Sequence, residues 1–151
     1  MSTIKVDTYQ TRGGASEIAI DKLKGVTAAG SMLVVAEGGT VTTNLQQGLA
    51  KQWLRLDGTG TVGIEDSLNT TSITDNGTGK YGVTIANDMA NANYCMTGMA
   101  SDFHVADEDA GGADPTTGVY RLCCFFVSGT DGSRTFNDED RVSCTVHGDL
   151  A

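Results

Sequence analysis

The sequence predicts a mainly β protein: an antiparallel β-sandwich over residues 51–151, preceded by an extended segment over residues 1–50 that carries one short helix. Three observations lead there. Threonine is frequent and usually stands beside Gly, Asn or Asp, so strand formers alternate with turn formers. From Trp53 onward the apolar residues fall in short alternating runs separated by turn signals. Aromatic residues make up only 6% of the chain, against 20 Gly and one Pro, so the core must be mostly aliphatic. The 151 residues suffice for one ordinary domain and an appendage.

Taken in order, residues 1–14 read as one strand in which Ile4 and Val6 alternate with polar neighbours, ending in a Gly pair. Residues 15–42 hold short apolar runs, Ile18–Ile20 and Met32–Val35, broken by Gly25, Gly30, Gly38 and Gly39. These runs are too short and scattered to form a core alone, so either the following domain or other copies of the chain must bury them. Residues 43–53 are the best helix window. Thr43 or Asn44 can cap it, and Leu45, Leu49 and Trp53 recur at i, i+4 and i+8. A helix of about three turns is marginal alone. Three copies around an axis would bury that stripe, as would packing on the chain's own domain.

The β region follows: Trp53–Leu56, Thr61–Leu68, Thr71–Thr74 and Tyr81–Ile85, the last two joined by Asp75-Asn76-Gly77-Thr78-Gly79, a hairpin signal. Asn76 and Gly77 are expected at positive φ. Residues 87–93 form a polar bridge to a strand at Tyr94–Met99, and Asp102–Thr117 reads as a long loop. Gly118–Val127 places Tyr120, Leu122, Cys124 and Phe126 on one face. Arg141–His147 does the same with Val142, Cys144 and Val146.

The net charge is −9 and unevenly placed. In residues 1–50, Lys5, Arg12, Lys22 and Lys24 balance Asp7, Glu17, Asp21 and Glu37, so the acidic excess lies in residues 51–151. An acidic surface repels phosphates and argues against nucleic acid as a partner. No apolar run approaches the roughly 20 residues that span a bilayer, and polar residues follow Lys5 where a signal peptide would be apolar. Cytosolic synthesis is therefore expected, with Cys95, Cys123, Cys124 and Cys144 as reduced core thiols.

The motifs with chemical overtones read as structure. Gly58-Thr59-Gly60-Thr61-Val62-Gly63 fits G-x-G-x-x-G, but a β-rich run follows where a dinucleotide site needs a helix. Gly58, Gly60, Gly77 and Gly79 are therefore read as turn glycines. Asp107–Gly112 resembles the start of a calcium loop but has Gly118 where the bidentate carboxylate belongs, and Asp138-Glu139-Asp140 is a second acidic cluster. Adjacent Cys123 and Cys124 should point to opposite sheet faces, so with His104 and His147 they make no zinc spacing. No serine lies in a nucleophile elbow and no carboxylate pair has an apolar setting, so no catalytic residue, metal or cofactor is expected. The Asn69-Thr70-Thr71 and Asn76-Gly77-Thr78 sequons are chance matches in a cytosolic product.

Trp53-Leu54-Arg55-Leu56-Asp57-Gly58-Thr59-Gly60-Thr61-Val62 resembles the W-x-x-F-N-G-T-G-T-V segment of phage fibre-like proteins from phages of marine bacteria and cyanobacteria. Asp66-Ser67, Ser72 to Gly79, Tyr81–Ile85, Met89–Tyr94 and the opening Met1–Thr8 continue the likeness in order, over roughly two thirds of the chain. Leu56-Asp57 stands where the family has Phe-Asn, and the family's repetitive shaft is missing. The resemblance implies a homotrimeric structural protein of the virion, a tail fibre or fibre-like part that contacts other virion proteins; the helical stripe read above makes Leu45, Leu49 and Trp53 its candidate trimer-packing residues. The absent shaft leaves room for a short collar part, an adaptor or a capsid decoration protein. A different class, a module binding host-surface glycan, would use Trp53, Tyr81, Tyr94 and Tyr120 as stacking platforms. The preferred reading packs Trp53 and Tyr120 inward.

Overall fold

The computed structural model describes residues 32–35, 39–102, 105–107 and 114–151. The strand expected within residues 1–14, the run Ile18–Ile20, His104 and most of the acidic loop after Asp107 lie outside the described residues. What is described is mainly β, with antiparallel sheets and one helix of a single turn.

Strands β1 (Leu33–Val35) and β2 (Thr42–Asn44) pair as a two-stranded ribbon, and helix α1 (Leu45–Gly48) follows directly. The body begins at β3 (Gln52–Asp57), which pairs with β4 (Gly63–Leu68). The chain then turns at the single residue Asn69 into β5 (Thr70–Asp75), which forms a hairpin with β6 (Lys80–Ile85). After β7 (Cys95–Ala100) and β8 (Val105–Asp107) come β9 (Val119–Val127), β10 (Arg134–Phe136) and β11 (Val142–His147). One sheet has the order β4-β3-β11-β7; the other runs β10-β9-β6-β5, with β8 also on β9. The amide and carbonyl of Cys124, which point the same way from β9, bond Gly79 O and Asn137 N respectively. The end of β6 and the strand β10 therefore abut along one edge of β9, and β8 takes the other.

Both sheets supply one core. β3 contributes Leu54 and Leu56, and β11 contributes Val142, Cys144 and Val146. From the other sheet come Tyr81, Val83 and Ile85 of β6 with Tyr120, Leu122 and Cys124 of β9. The period of two predicted for β9 and β11 is what delivers these faces inward. Each buried aliphatic side chain contributes about 1.5–3 kcal/mol. Phe126 departs from its expected face-mates: it lies beyond the core and is exposed, whereas Phe125 is buried edge-on to Phe136. Met89 of the polar bridge is also buried, in an isolated bridge to Leu150.

A buried polar chain crosses this core. Gln52 is fully buried on the inward face of β3. Its amide donates to Thr70 Oγ1 at 2.7 Å, and its carbonyl accepts from the Tyr120 hydroxyl at 2.8 Å. Cys144 Sγ lies 2.9 Å from the same phenol oxygen. A phenol has one hydrogen, already given to Gln52, so the thiol is the donor there. Burial pushes the Cys144 thiol up to about 11 and the Tyr120 phenol well above its ordinary value.

The long helix expected over residues 43–53 does not form. Asn44 caps as anticipated, its side chain accepting from Gln46 N at 2.9 Å and Gln47 N at 3.4 Å. The helix stops after one turn at Gly48, Leu49 is already extended, and Trp53 belongs to β3. Gly48 is a poor helix interior residue, and the sheet offers Trp53 two flanking partners, Leu68 and Thr145. Leu45 and Leu49 are left exposed, so Leu45, Leu49 and Trp53 share no helical stripe. The expected loop Asp102–Thr117 likewise contains a strand, β8, because the second edge of β9 has backbone groups to satisfy.

Candidate functional site

Because Gln52, Leu54 and Leu56 point inward, Trp53 and Arg55 must point outward, and the same alternation turns Ser143 and Thr145 of β11 and Thr97 and Met99 of β7 to that outer face. Register then aligns them in two cross-strand rows. Leu68, Trp53, Thr145 and Thr97 form one, and Asp66, Arg55, Ser143 and Met99 the other. Trp53 is therefore not packed inward as expected. It is half-buried on the outside of the four-stranded sheet, while Tyr120 is in the core as anticipated.

These rows line an open groove of about 500 Å³, bounded by Trp53, Arg55, Thr97, Gly98, Met99, Ser143 and Thr145. The Thr97 and Thr145 hydroxyls bond each other at 2.8 Å. A bulge in the β3–β4 register at Arg55 brings Glu65 against the Arg55 guanidinium as an exposed ion pair. Met99 is 75% exposed. Chemically the groove offers an indole face, a thioether and paired hydroxyls. Ser143 is its one serine, and His147 stands four residues along the same strand, about 13 Å away at strand rise. That is far outside proton-transfer reach.

Of the four aromatic residues considered as stacking platforms, Tyr81 and Tyr120 are core residues and cannot serve. Tyr94 packs edge-on to Tyr120 with centroids 6.4 Å apart, and its hydroxyl donates to Thr116 O at 2.8 Å. Of the four, Trp53 presents a partly open ring on a sheet face. Tryptophan in an otherwise β-patterned window reads as core from sequence; only the inward position of Gln52 reverses the parity.

The acidic run Asp138–Asp140 is a structural clamp. Asp138 Oδ1 accepts from Gly79 N at 2.6 Å and lies 3.2 Å from the Tyr81 hydroxyl. Glu139 is buried; its backbone carbonyl accepts from Gly58 N at 2.8 Å, and its carboxylate from Ser101 Oγ at 2.7 Å. Asp140 shares that hydroxyl at 2.7 Å, which holds its carboxyl below the usual range. The four turn glycines are needed for two different reasons. Gly58 and Gly79 have no room for a side chain: a Cβ on Gly58 would strike the Tyr81 hydroxyl, and one on Gly79 would lie 2.5 Å from Cys124 O. Gly60 and Gly77 have room but positive φ, as does Gly79; Asn76, expected to share it, does not.

Among the described residues no group of three His, Cys, Asp or Glu side chains is placed to hold a metal ion, and no helix is long and apolar enough to cross a membrane. Cys95, Cys123, Cys124 and Cys144 form no disulfide. Cys123, Cys124 and Cys144 are buried, but Cys95 is exposed on the outer face of β7, a correction to its expected core position. Compared with known proteins, the chain matches no family model, no curated protein and no solved structure.

Proposed function

We propose that this chain is a non-catalytic structural protein of a phage particle, a homotrimeric short fibre-like or tail-associated part. In this reading the two sheets are the layers of a β-sandwich that faces solvent, and the N-terminal region is the attachment and trimerisation segment. The observation that carries it is the state of the first described segments. Leu33, Val34, Val35, Leu45 and Leu49 are 37–61% exposed, so the chain's own body leaves uncovered apolar residues that were expected to be buried by that body or by other copies. A two-stranded ribbon with its apolar residues in water is marginal by itself. Other copies of the same chain, whose residues 1–50 carry balanced charge, would cover it with little net repulsion. The likeness to phage fibre-like proteins supplies the setting: a virion, with other virion proteins as neighbours.

Two experiments test this. Sedimentation of the purified protein should give a trimer at micromolar concentration, and a folded monomer there would overturn the assembly role. Counting copies per purified particle then divides the possibilities. A few copies fit a tail part; a number matching the capsid lattice fits the alternative, a capsid decoration protein. A second reading, a receptor module for host-surface glycan, is favoured by one feature, the open Trp53 ring beside the Thr97 and Thr145 hydroxyls. Quenching or shift of the fluorescence of Trp53, the chain's one tryptophan, on adding neutral oligosaccharides would support it.

A further inference from the structure

Three Asx-Gly pairs stand among the described residues: Asp57-Gly58, Asn76-Gly77 and Asp131-Gly132. Their glycine amides have different fates. Gly58 N donates to Glu139 O at 2.8 Å and Gly132 N to Ser128 O at 3.0 Å, both backbone carbonyls. The neighbouring carboxylates, Asp57 and Asp131, accept from Thr59 and Ser133 instead. Gly77 N alone donates to a carboxylate, Asp75 Oδ1, at 2.8 Å.

That contact is within proton-transfer distance. Gly77 is exposed, carries φ +112°, and has no atom within 4 Å of where a Cβ would stand, so nothing crowds the turn on that side. The turn is held from both sides, with Asn76 N bonded to Lys80 O and Lys80 N to Gly77 O. The Asn76 carboxamide lies over Gly82 of β6, its nitrogen 3.0 Å from where a Cβ on Gly82 would stand. Gly82, having no side chain, leaves space for that carboxamide, which belongs to the residue joined directly to the Gly77 nitrogen.

We propose that Asn76-Gly77 is a self-modification site, at which Asp75 assists conversion of the asparagine through a cyclic imide. The Asp75 carboxylate takes the Gly77 N–H proton as Gly77 N bonds to Asn76 Cγ. The Cγ–Nδ2 bond breaks, and the nitrogen leaves as ammonia after receiving a proton. Water then adds to either ring carbonyl, giving aspartate or isoaspartate at position 76. Both products put a new carboxylate on the hairpin. The isoaspartate also adds one atom to the backbone leading to Gly79, whose place is fixed by Cys124 and Asn137. The hairpin thus carries a mark of the protein's age.

The test is peptide mapping by mass spectrometry of the full chain after incubation in warm, mildly alkaline buffer. Asn76 should convert several-fold faster than Asn69, Asn87, Asn91, Asn93 and Asn137. Asp75→Asn and Asp75→Ser should both slow conversion several-fold in native buffer, with unchanged circular dichroism. In urea, where the Asp75–Gly77 contact is absent, the parent and both variants should convert at one rate. If Asn76 converts no faster than the other asparagines, or if both variants match the parent in native buffer, the proposal fails. A variant effect of equal size in urea also overturns it, because the influence of Asp75 would then be a property of the local sequence and not of the folded turn.

Discussion

The β1–β2 ribbon and the β3–β11 body are built from similar residues and differ in what those residues touch. In β11, Val142, Cys144 and Val146 are at most 3% exposed because polar residues separate them and one face does all the packing. In β1, Leu33, Val34 and Val35 are consecutive, so both faces of the ribbon are apolar and all three side chains are open. Alternation lets a strand finish its packing within one chain. A continuous apolar run on a two-stranded ribbon requires burial on both sides, which a single body with one core does not provide.

The comparison breaks most clearly if the ribbon proves dispensable. Replacing Leu33, Val34 and Val35 together by serine should abolish association in sedimentation, while the melting of the body changes by no more than about 0.5 kcal/mol. A large loss of body stability would mean the ribbon packs on its own chain.

Within the body, Gly79→Val should be the most damaging single change. It combines strain at φ +65° with a clash against the backbone of Cys124 and Asn137, and should cost on the order of 3 kcal/mol or more in urea unfolding. Gly77→Val meets only the unfavourable φ and should cost about 1–3 kcal/mol. Equal costs at the two positions would show that the junction of β6 with β10 is looser than its geometry.

Gln52→Ala removes the partner of both Tyr120 and Thr70 inside the core, and should cost about 1–3 kcal/mol by the same measurement. The equivalent truncation Met99→Ala, on the outer face, should stay within about 0.5 kcal/mol.

The smallest effect expected is a pH dependence confined to the body. Burial raises the Cys124 thiol to about 12 and the Cys144 thiol to about 11, from an ordinary value of 9.0. The folded state therefore favours the neutral thiol. That contribution is complete below pH 9 and is lost as the pH rises from there through 11 to 12. The urea midpoint should fall over this range, and a Cys124→Ala, Cys144→Ala double variant should show a shallower fall.

Much of the body could be read in the sequence because its signals are local. The alternation in Val142–Val146 and Tyr120–Cys124, and the Asp75–Gly79 turn, each specify an element without help from distant residues. The rest depends on partners far along the chain. The three-residue strands β8 and β10 carry too little pattern to stand out, and exist because β9 is long enough to need pairing along both edges. The stripe Leu45, Leu49 and Trp53 fits a helix equally well on paper; the pull of β11 on Trp53 decides otherwise. The outward Trp53 and the exposed Cys95 follow from sheet parity, which no single run of residues reveals. Gly79 was legible as a turn glycine, but its close approach to Asn137 was not.

The position of β11 has a consequence for how the protein comes to exist. It follows every other strand in chain order yet lies between β3 and β7, with both neighbours depending on it for pairing. During synthesis the β3–β4 and β5–β6 hairpins can close as soon as they emerge. β7 has no partner in its sheet until the last of the described strands is made. The ribbon with its exposed valines is therefore made well before the body is finished. Under the proposed trimeric assembly, nascent chains on neighbouring ribosomes of one message would meet first through that ribbon, and subunit pairing would precede completion of the fold.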